Sequence, residues 1–372
     1  MSFNKSLVLV AGLVSLGSGA AAGGIDRSGQ GVGILFESGT VAELGFGRSD
    51  PTIKGVSVPL LGNRPSGDMA KSVTTFGLGY KQQVSDRLAL AVILDAPFGA
   101  DIAYPTATGF YAAGWTSEFS SRAVTALGRY ALGDGFSVHG GMSYQDVSAR
   151  IALPNVGGTG VNYTSVGKQT GGFGAIAGAA YERPEVGLRV ALTWRSAIDY
   201  DVATTETLTG LPGAIQSTTS ISTPQSVNLD VQTGIAPDTL LIASARWVEW
   251  TAFSISPQVF NAAISPAPLV SYANDTITYN LGIARKFNEA WSASASLGFE
   301  AGSGLAASIL GPTDGNRSIS LGAQYTDGPV KVAFGLRYAQ FGDTFTNAIL
   351  SPAANFRDND AVAFGVKLTY SF

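Results

Sequence analysis

The chain closes with Val362-Ala363-Phe364-Gly365-Val366-Lys367-Leu368-Thr369-Tyr370-Ser371-Phe372, and this stretch decides the fold. Its even positions read Val, Phe, Val, Leu, Tyr, Phe, and the odd positions between them read Ala, Gly, Lys, Thr, Ser. Successive side chains of an extended backbone leave on opposite faces, so this is a strand with one large apolar face and one small or polar face. Val330 to Tyr338 repeats the pattern, with Val332, Phe334, Leu336 and Tyr338 against Lys331, Ala333, Gly335 and Arg337. Further upstream, Phe136, Val138, Met142 and Tyr144 alternate with Ser137, His139, Gly141 and Ser143. Leu188 to Arg195, Val227 to Gln232, Ile277 to Ile283 and Trp291 to Glu300 follow the same rule. A soluble sandwich also alternates, but its wet face is rich in Lys, Glu and Asp. Here that face is Gly, Ser, Ala and Thr with isolated charges, which suits the lumen of a barrel whose other face meets lipid.

Composition agrees. Of the 372 residues 45% are hydrophobic and only 13% charged, against roughly 25% charged in soluble domains. No apolar run is long enough for a transmembrane helix. The 47 glycines suit strands and tight turns. The absence of cysteine excludes disulfide scaffolds and cysteine metal sites. A net charge of −4 with no basic cluster argues against nucleic acid as a partner. No metal or cofactor motif occurs: the scattered Gly-x-Gly pairs are strand and turn glycines. Catalysis is not expected either, because the single histidine, His139, lies on a strand with no carboxylate identifiably placed to orient it.

The N-terminus reads as a targeting segment. Lys5 supplies the positive region, Ser6 to Gly19 the apolar region and Ala20-Ala21-Ala22 the small-residue cleavage pattern. The expected organisation is a signal peptide over 1–22, a short lumen segment over 23–32, and a barrel over 33–372.

Very short turns fall at Ser85-Asp86, Gly133-Asp134-Gly135, Arg183-Pro184, Pro237-Asp238, Asn288-Glu289 and Asp327-Gly328. Between them lie longer irregular stretches at 57–68, 97–114, 150–167, 201–219, 255–275, 301–316 and 342–358. Strict alternation of short and long connections is the habit of outer-membrane barrels, with short periplasmic turns and longer external loops. Thirteen connections join fourteen strands. The fold class is therefore all-β: a transmembrane antiparallel barrel of about fourteen strands, located in a bacterial outer membrane, with a short N-terminal plug segment. Closure leaves no unpaired edge in a solvent that offers no hydrogen bonds.

Four stretches give the chain a family resemblance. They are Ser28-Gly29-Gln30-Gly31 through Ile34-Leu35-Phe36-Glu37 into Glu43-Leu44-Gly45-Phe46-Gly47; Asp95-Ala96-Pro97-Phe98-Gly99-Ala100; Ser222-Thr223-Pro224-Gln225-Ser226-Val227-Asn228-Leu229; and Ala245-Arg246-Trp247-Val248-Glu249-Trp250. With them the chain resembles the FadL-type outer-membrane channels for long-chain fatty acids and other hydrophobic compounds. The resemblance implies passive uptake, with substrate leaving sideways through a gap made by a kink in the third strand. Pro97, Phe98, Gly99 and Ala100 match that place. Independently, Pro cannot donate to a ladder and Gly marks a bulge or bend. The residues alone also allow Pro97 simply to begin an external loop. The chain departs from the family in lacking the usual N-terminal hatch of about forty residues and its Asn-Pro-Ala element, so that either a short inserted tail plugs the lumen or the plug is absent. Ile25 would stand where the family inserts an aromatic into its internal pocket. A terminal Phe372 resembles the signal read by the barrel-assembly machinery.

By parity Arg189, Arg195, Asp230, Glu300, Lys331, Arg337 and Lys367 point inward. A fatty-acid carboxylate in an apolar pocket needs a cationic partner, so Arg195, Arg337, Arg189 and Lys331 are candidate substrate contacts. The competing reading is that these charges pair with Asp230, Glu300 or one another and hold the interior together. Arg246 and Glu249 differ in parity and cannot share a face without a bulge. Trp247, Trp250, Trp291, Tyr130 and Tyr181 near strand ends suggest interfacial girdles. Phe110, Tyr111, Trp115, Leu208, Leu211, Ile264, Leu269 and Ile349 suggest either a greasy landing site or a sealed mouth. The leading function is a monomeric, cofactor-free channel for fatty acids or other hydrophobic compounds, in contact with outer-membrane lipid. The alternative is a general diffusion porin for small polar solutes.

Overall fold

The computed structural model describes residues 24–347 and 352–372. The signal peptide expected over 1–22 and Ile349 lie outside the described residues.

Fourteen strands close into one antiparallel barrel. They are β1 (Val41–Thr52), β2 (Val73–Gln83), β3 (Leu88–Asp95, then Gly99–Ala103), β4 (Thr116–Gly133), β5 (Phe136–Val156), β6 (Val161–Arg183) and β7 (Leu188–Arg195, then Ile198–Leu208). The circle continues with β8 (Ile215–Thr223, then Ser226–Ala236), β9 (Thr239–Val248), β10 (Thr276–Lys286), β11 (Trp291–Glu300), β12 (Asn316–Asp327), β13 (Val330–Phe341) and β14 (Asp360–Ser371). Closure is made by β1 on β14, from Val41↔Ser371 to Thr52↔Asp360. The Phe372 amide adds a bond to the Thr40 carbonyl at 3.0 Å. Both wall ends therefore lie at the end that carries the short turns.

The alternation read from the sequence becomes two surfaces. Outward positions such as Leu44, Phe76, Leu78, Leu281, Leu297, Phe334, Leu336 and Phe364 are exposed. On β4 the outward residues from Val124 to Leu132 carry no charge, a stretch on the order of 20 Å once strand tilt is allowed for. Above it, towards the long loops, stand exposed ion pairs: Arg48–Asp50 at 2.9 Å, Lys71–Asp101 at 3.0 Å and Arg122–Asp146 at 3.5 Å. The apolar band fits the hydrocarbon layer and the charged belt fits its edge. No helix among the described residues is long and apolar enough to cross a membrane.

Three expectations are corrected. The stretches 150–167 and 201–219 are mostly strand, so β5–β6 and β7–β8 are long hairpins with tips at 157–160 and 209–214. Their Thr- and Ser-rich composition reads as loop, yet cross-strand hydroxyl pairs such as Thr164–Thr207 at 2.6 Å and Thr204–Thr219 at 2.9 Å knit the sheet. The wall begins at Val41 rather than at residue 33, because Gly33–Phe36 forms a single 3-10 turn inside the lumen. Trp250 is fully buried rather than interfacial, because the chain leaves β9 at Val248 and turns inward over the mouth.

Two apolar clusters fill the barrel. Near the turn end Val32, Ile34, Leu35 and Phe36 pack against Ala91, Leu127, Ile176, Ala180 and Ala191 of the wall. Small inward side chains leave the room this segment occupies. Near the loop end Phe98, Phe119, Tyr163, Trp250, Phe253, Phe260 and Phe356 join Phe110, Trp115 and Leu269. Glu206, fully buried, ties this cap together. It accepts from Tyr163 Oη at 2.7 Å, Ser217 Oγ at 2.6 Å and the Val259 amide at 3.0 Å at the start of helix α1 (Gln258–Ala263).

Close strand approach sets one testable limit. A Cβ on Gly141 would lie 1.9 Å from the Ala126 carbonyl oxygen of β4. Gly141→Val should cost about 1–3 kcal/mol or more in a wall that cannot relax locally. The expected result is loss of the heat-modifiable folded band on a gel, and an unchanged band would contradict the pairing of β4 with β5 in this register.

Candidate functional site: a slit in the wall and the cavity behind it

Strand β3 is interrupted where Pro97 removes an amide from the ladder. Asp95 pairs with Ala123 and Gly99 with Ser120, so three residues of β3 face two of β4. Ser121 bridges the bulge: its Oγ accepts from the Phe98 amide at 2.8 Å and donates to the Phe98 carbonyl at 2.9 Å. On the other side the β2–β3 ladder ends at Leu78↔Leu94. Among the described residues, 73–77 of β2 pair only with β1. The strands rejoin above, where the Ala103 amide donates to the Met69 carbonyl at 2.8 Å and the Lys71 amide to the Asp101 carbonyl at 3.2 Å. A slit is left between 73–77 and 96–100.

A cavity of about 370 Å³ lies behind the slit. Ile25, Met69, Ala100, Ile102, Tyr272 and Leu310 line it from within, and its boundary reaches Phe46, Phe76 and Phe364 on the outer face. It therefore lies against the slit on the inner side of the wall. Towards the mouth, Tyr111 donates or accepts at Thr346 Oγ1 at 3.0 Å, and burial pushes its hydroxyl up to about 12. That phenol stays neutral at any physiological pH.

The chain from Gly24 to Thr40 runs through the lumen and is held by inward charges. Arg246 Nε donates to Asp26 Oδ2 at 2.8 Å. Its Nη1 reaches Asn228 Oδ1 at 2.6 Å and Ser226 Oγ at 3.1 Å, and its Nη2 reaches Gln30 Oε1 at 3.2 Å. Ser28 Oγ donates to Asp95 Oδ2 at 2.6 Å, and Asn228 Nδ2 to the Gly29 carbonyl at 3.0 Å. Beneath this level is a second cavity of about 390 Å³ with a more polar wall that includes Arg189, Asp230, Asn280 and Arg337.

The sequence candidates distribute as follows. Ile25 is buried in the upper cluster and its carbonyl accepts from the Gly99 amide at 2.8 Å. Pro97 to Ala100 form the slit edge. Arg195 donates to the Gln30 carbonyl at 2.9 Å, and Lys331 pairs with Glu37 at 2.8 Å, so both clamp the lumen chain. Arg189 lies 4.8 Å over the Phe36 ring, opposite Arg129 at 4.9 Å. Arg337 is buried within electrostatic reach of Glu300, to which Thr278 donates. His139 bonds Thr193 Oγ1 at 2.8 Å. Sequence reading missed Arg27, Asp26 and Asp95, and could not assign Arg246. Only the run Asp26-Arg27-Ser28, polar in a segment expected to enter a lumen, hinted at them.

Solved structures align over nearly all of the chain. A FadL homologue from Pseudomonas aeruginosa superposes with a TM-score of 0.75 at 15% identity, over 100% of this chain and 99% of that one. The fold is that of the FadL-type channels. The toluene transporter TodX of Pseudomonas putida matches with a TM-score of 0.67 at 11% identity, over 96% of each chain. The Ralstonia pickettii toluene transporter TbuX gives 0.61 at 12% identity, over 90% of each. No protein-family model and no curated protein sequence matches the chain. The FadL-type fold is thus kept at very low sequence identity.

The Arg246–Asp26 pair is buried, with side-chain exposures of 9% and 0%. Removing one partner of such a pair leaves a naked buried charge and costs about 3–5 kcal/mol. Arg246→Ala should free the lumen chain and expose the Arg27 peptide bond to trypsin in the solubilised barrel, while Arg246→Lys should do so less. Equal resistance in all three proteins would show that Arg246 does not hold the segment.

Proposed function

We propose that this chain is a passive channel of the bacterial outer membrane for hydrophobic compounds, which leave the lumen sideways through the slit in β3. The observation that supports this is the largely apolar cavity that lies directly behind the interruption of β3, where 73–77 of β2 and 96–100 of β3 do not pair. In this reading the turn end faces the periplasm and the long loops face outward. The slit stands at the upper edge of the apolar band, where a hydrophobic molecule can pass from protein to lipid without crossing water. Fatty acids and small aromatic hydrocarbons are both compatible with such a cavity, and the toluene transporters among the similar structures favour including the latter. The channel works as a monomer, uses no cofactor and catalyses nothing. Phe372 is its address for the barrel-assembly machinery. Gly24 to Thr40 serves as a reduced plug.

A general porin needs a continuous wide aqueous lumen. Here the lumen chain and the aromatic cap occupy that space, which speaks for the first reading.

The test is paired uptake in cells with and without the protein, using labelled oleate or toluene and, separately, a small sugar. Hydrophobic uptake should rise with expression while sugar flux stays at background. Gly77 lines the cavity at the slit, and a Cβ there meets only the Leu94 carbonyl oxygen at an ordinary 3.7 Å. Gly77→Phe should therefore leave the folded band intact, and both Gly77→Phe and Ala100→Ile should cut hydrophobic uptake several-fold. Sugar flux that rises while neither hydrophobic compound enters would make the protein a porin.

A further inference from the structure

The lumen chain supplies the slit with more than a neighbour. Ile25 to Arg27 lies antiparallel to the broken part of β3: the Gly99 amide donates to the Ile25 carbonyl at 2.8 Å, the Arg27 amide donates to the Pro97 carbonyl at 2.8 Å, and Asp26 bridges Phe98. This three-residue strand takes the place that β2 leaves.

The side chain of Arg27 then goes the other way. Ala100 and Ile102 of β3 face the interior cluster, so Gly99 and Asp101 present the outer face. The direction in which a Gly99 side chain would point is filled by the Arg27 guanidinium: a Cβ there would lie 2.3 Å from Cζ, 2.4 Å from Nη1 and 2.5 Å from Nε. Residue 99 must be glycine for this arginine to lie across it. Beyond it stand Asp101 and Glu118, directly paired across β3 and β4, and these are the acids that face Arg27. Asp101 also holds Lys71 at 3.0 Å, and Glu118 lies opposite Arg150 of β5. A cation anchored inside the barrel thus crosses the wall beside Gly99, within the electrostatic reach of carboxylates on its outer side.

We propose that Arg27 is a bolt across the slit, held shut by Asp101 and Glu118 and withdrawn when a ligand passes. This rests on the reading of the slit as the ligand exit. Because the Arg27 backbone stays bonded to Pro97, rotation of the side chain alone clears the path. The wall need not open. The bolt therefore sets the resting leak of the slit while leaving the barrel and the lumen chain in place.

The experiment follows entry of 1-N-phenylnaphthylamine, a neutral dye that an intact outer membrane excludes, and of a hydrophilic chromogenic β-lactam. Both are measured in cells producing wild-type protein, Arg27→Ala, Arg27→Lys or the Asp101→Asn, Glu118→Gln pair. Arg27→Ala and the acid pair should admit dye several-fold faster than wild type, and Arg27→Lys close to the wild-type rate. Screening weakens exposed charge pairs, so rising ionic strength should speed the wild type and leave Arg27→Ala unchanged. β-Lactam entry should stay at background in all of them. Dye entry that Arg27→Ala leaves unchanged or slows overturns the bolt, as does an equal rise for the β-lactam, which would mean that the lumen chain has come loose. If neither wild type nor Arg27→Ala admits dye faster than cells without the protein, the channel reading falls and the bolt with it.

Discussion

Every backbone amide in a membrane wall must find a partner within the protein, and the architecture of this barrel follows from how that demand is met at one place. Around most of the circle it is met by neighbouring strands, from β1 on β14 through the long β5–β6 hairpin, although the β6–β7 ladder also lapses between Gly167↔Thr204 and Ile176↔Arg195. At β3 it is not, because Pro97 has no amide to give and the bulge throws β3 out of register with β2. The deficit is covered from both sides of the wall by Ser121 of β4 and by Ile25 to Arg27 of the lumen chain. The β3 edge of the hole thereby keeps its hydrogen bonds, while 73–77 of β2 stay paired to β1.

That solution depends on the lumen chain being held still, and the inward charges are spent on this. Arg246 alone reaches Asp26, Ser226, Asn228 and Gln30, while Arg195 and Lys331 reach Gln30 and Glu37. Lys81, almost fully buried, donates to the carbonyls of Glu37 and Gly39 at 2.6 and 2.9 Å. Buried ions need such partners, because desolvation is otherwise uncompensated. Of the cations that parity marks as candidates for a substrate head group, Arg195 and Lys331 are thus occupied with protein partners, Arg189 and Arg337 line the more polar lower cavity, and the apolar space lies elsewhere, under the aromatic cap beside the slit. The exposed pairs of the outer belt contribute little to stability. Their place at the edge of the apolar band is what matters, since it puts the slit at the height where lipid tails give way to head groups.

Much of this was legible in the sequence. The two-residue period of Val362 to Phe372 and Val330 to Tyr338, with small residues on one face, gives a lipid-facing barrel, and all six short turns sit where Gly, Asp, Asn and Pro place them. The loops were less legible: 150–167 and 201–219 lack an apolar face because they rise above the membrane, so nothing in their hydrophobicity marks them as strand. Pro97 to Gly99 announced an interruption without saying whether the chain would resume its pairing, which Gly99–Ala103 does.

What the sequence determined by itself is whatever depends on local period and turn chemistry: strands, their faces, their number and their closure. Tertiary structure alone decided what fills the barrel. Arg246 and Asp26 are 220 residues apart, and Arg27, Gly99 and Glu118 belong to three segments. No spacing rule links them, because they meet only after the cylinder has closed and the lumen chain has packed inside it. Parity tells which side chains point inward. Which of them then touch is fixed by the register of the closed sheet and by the path of Gly24 to Thr40 through the lumen.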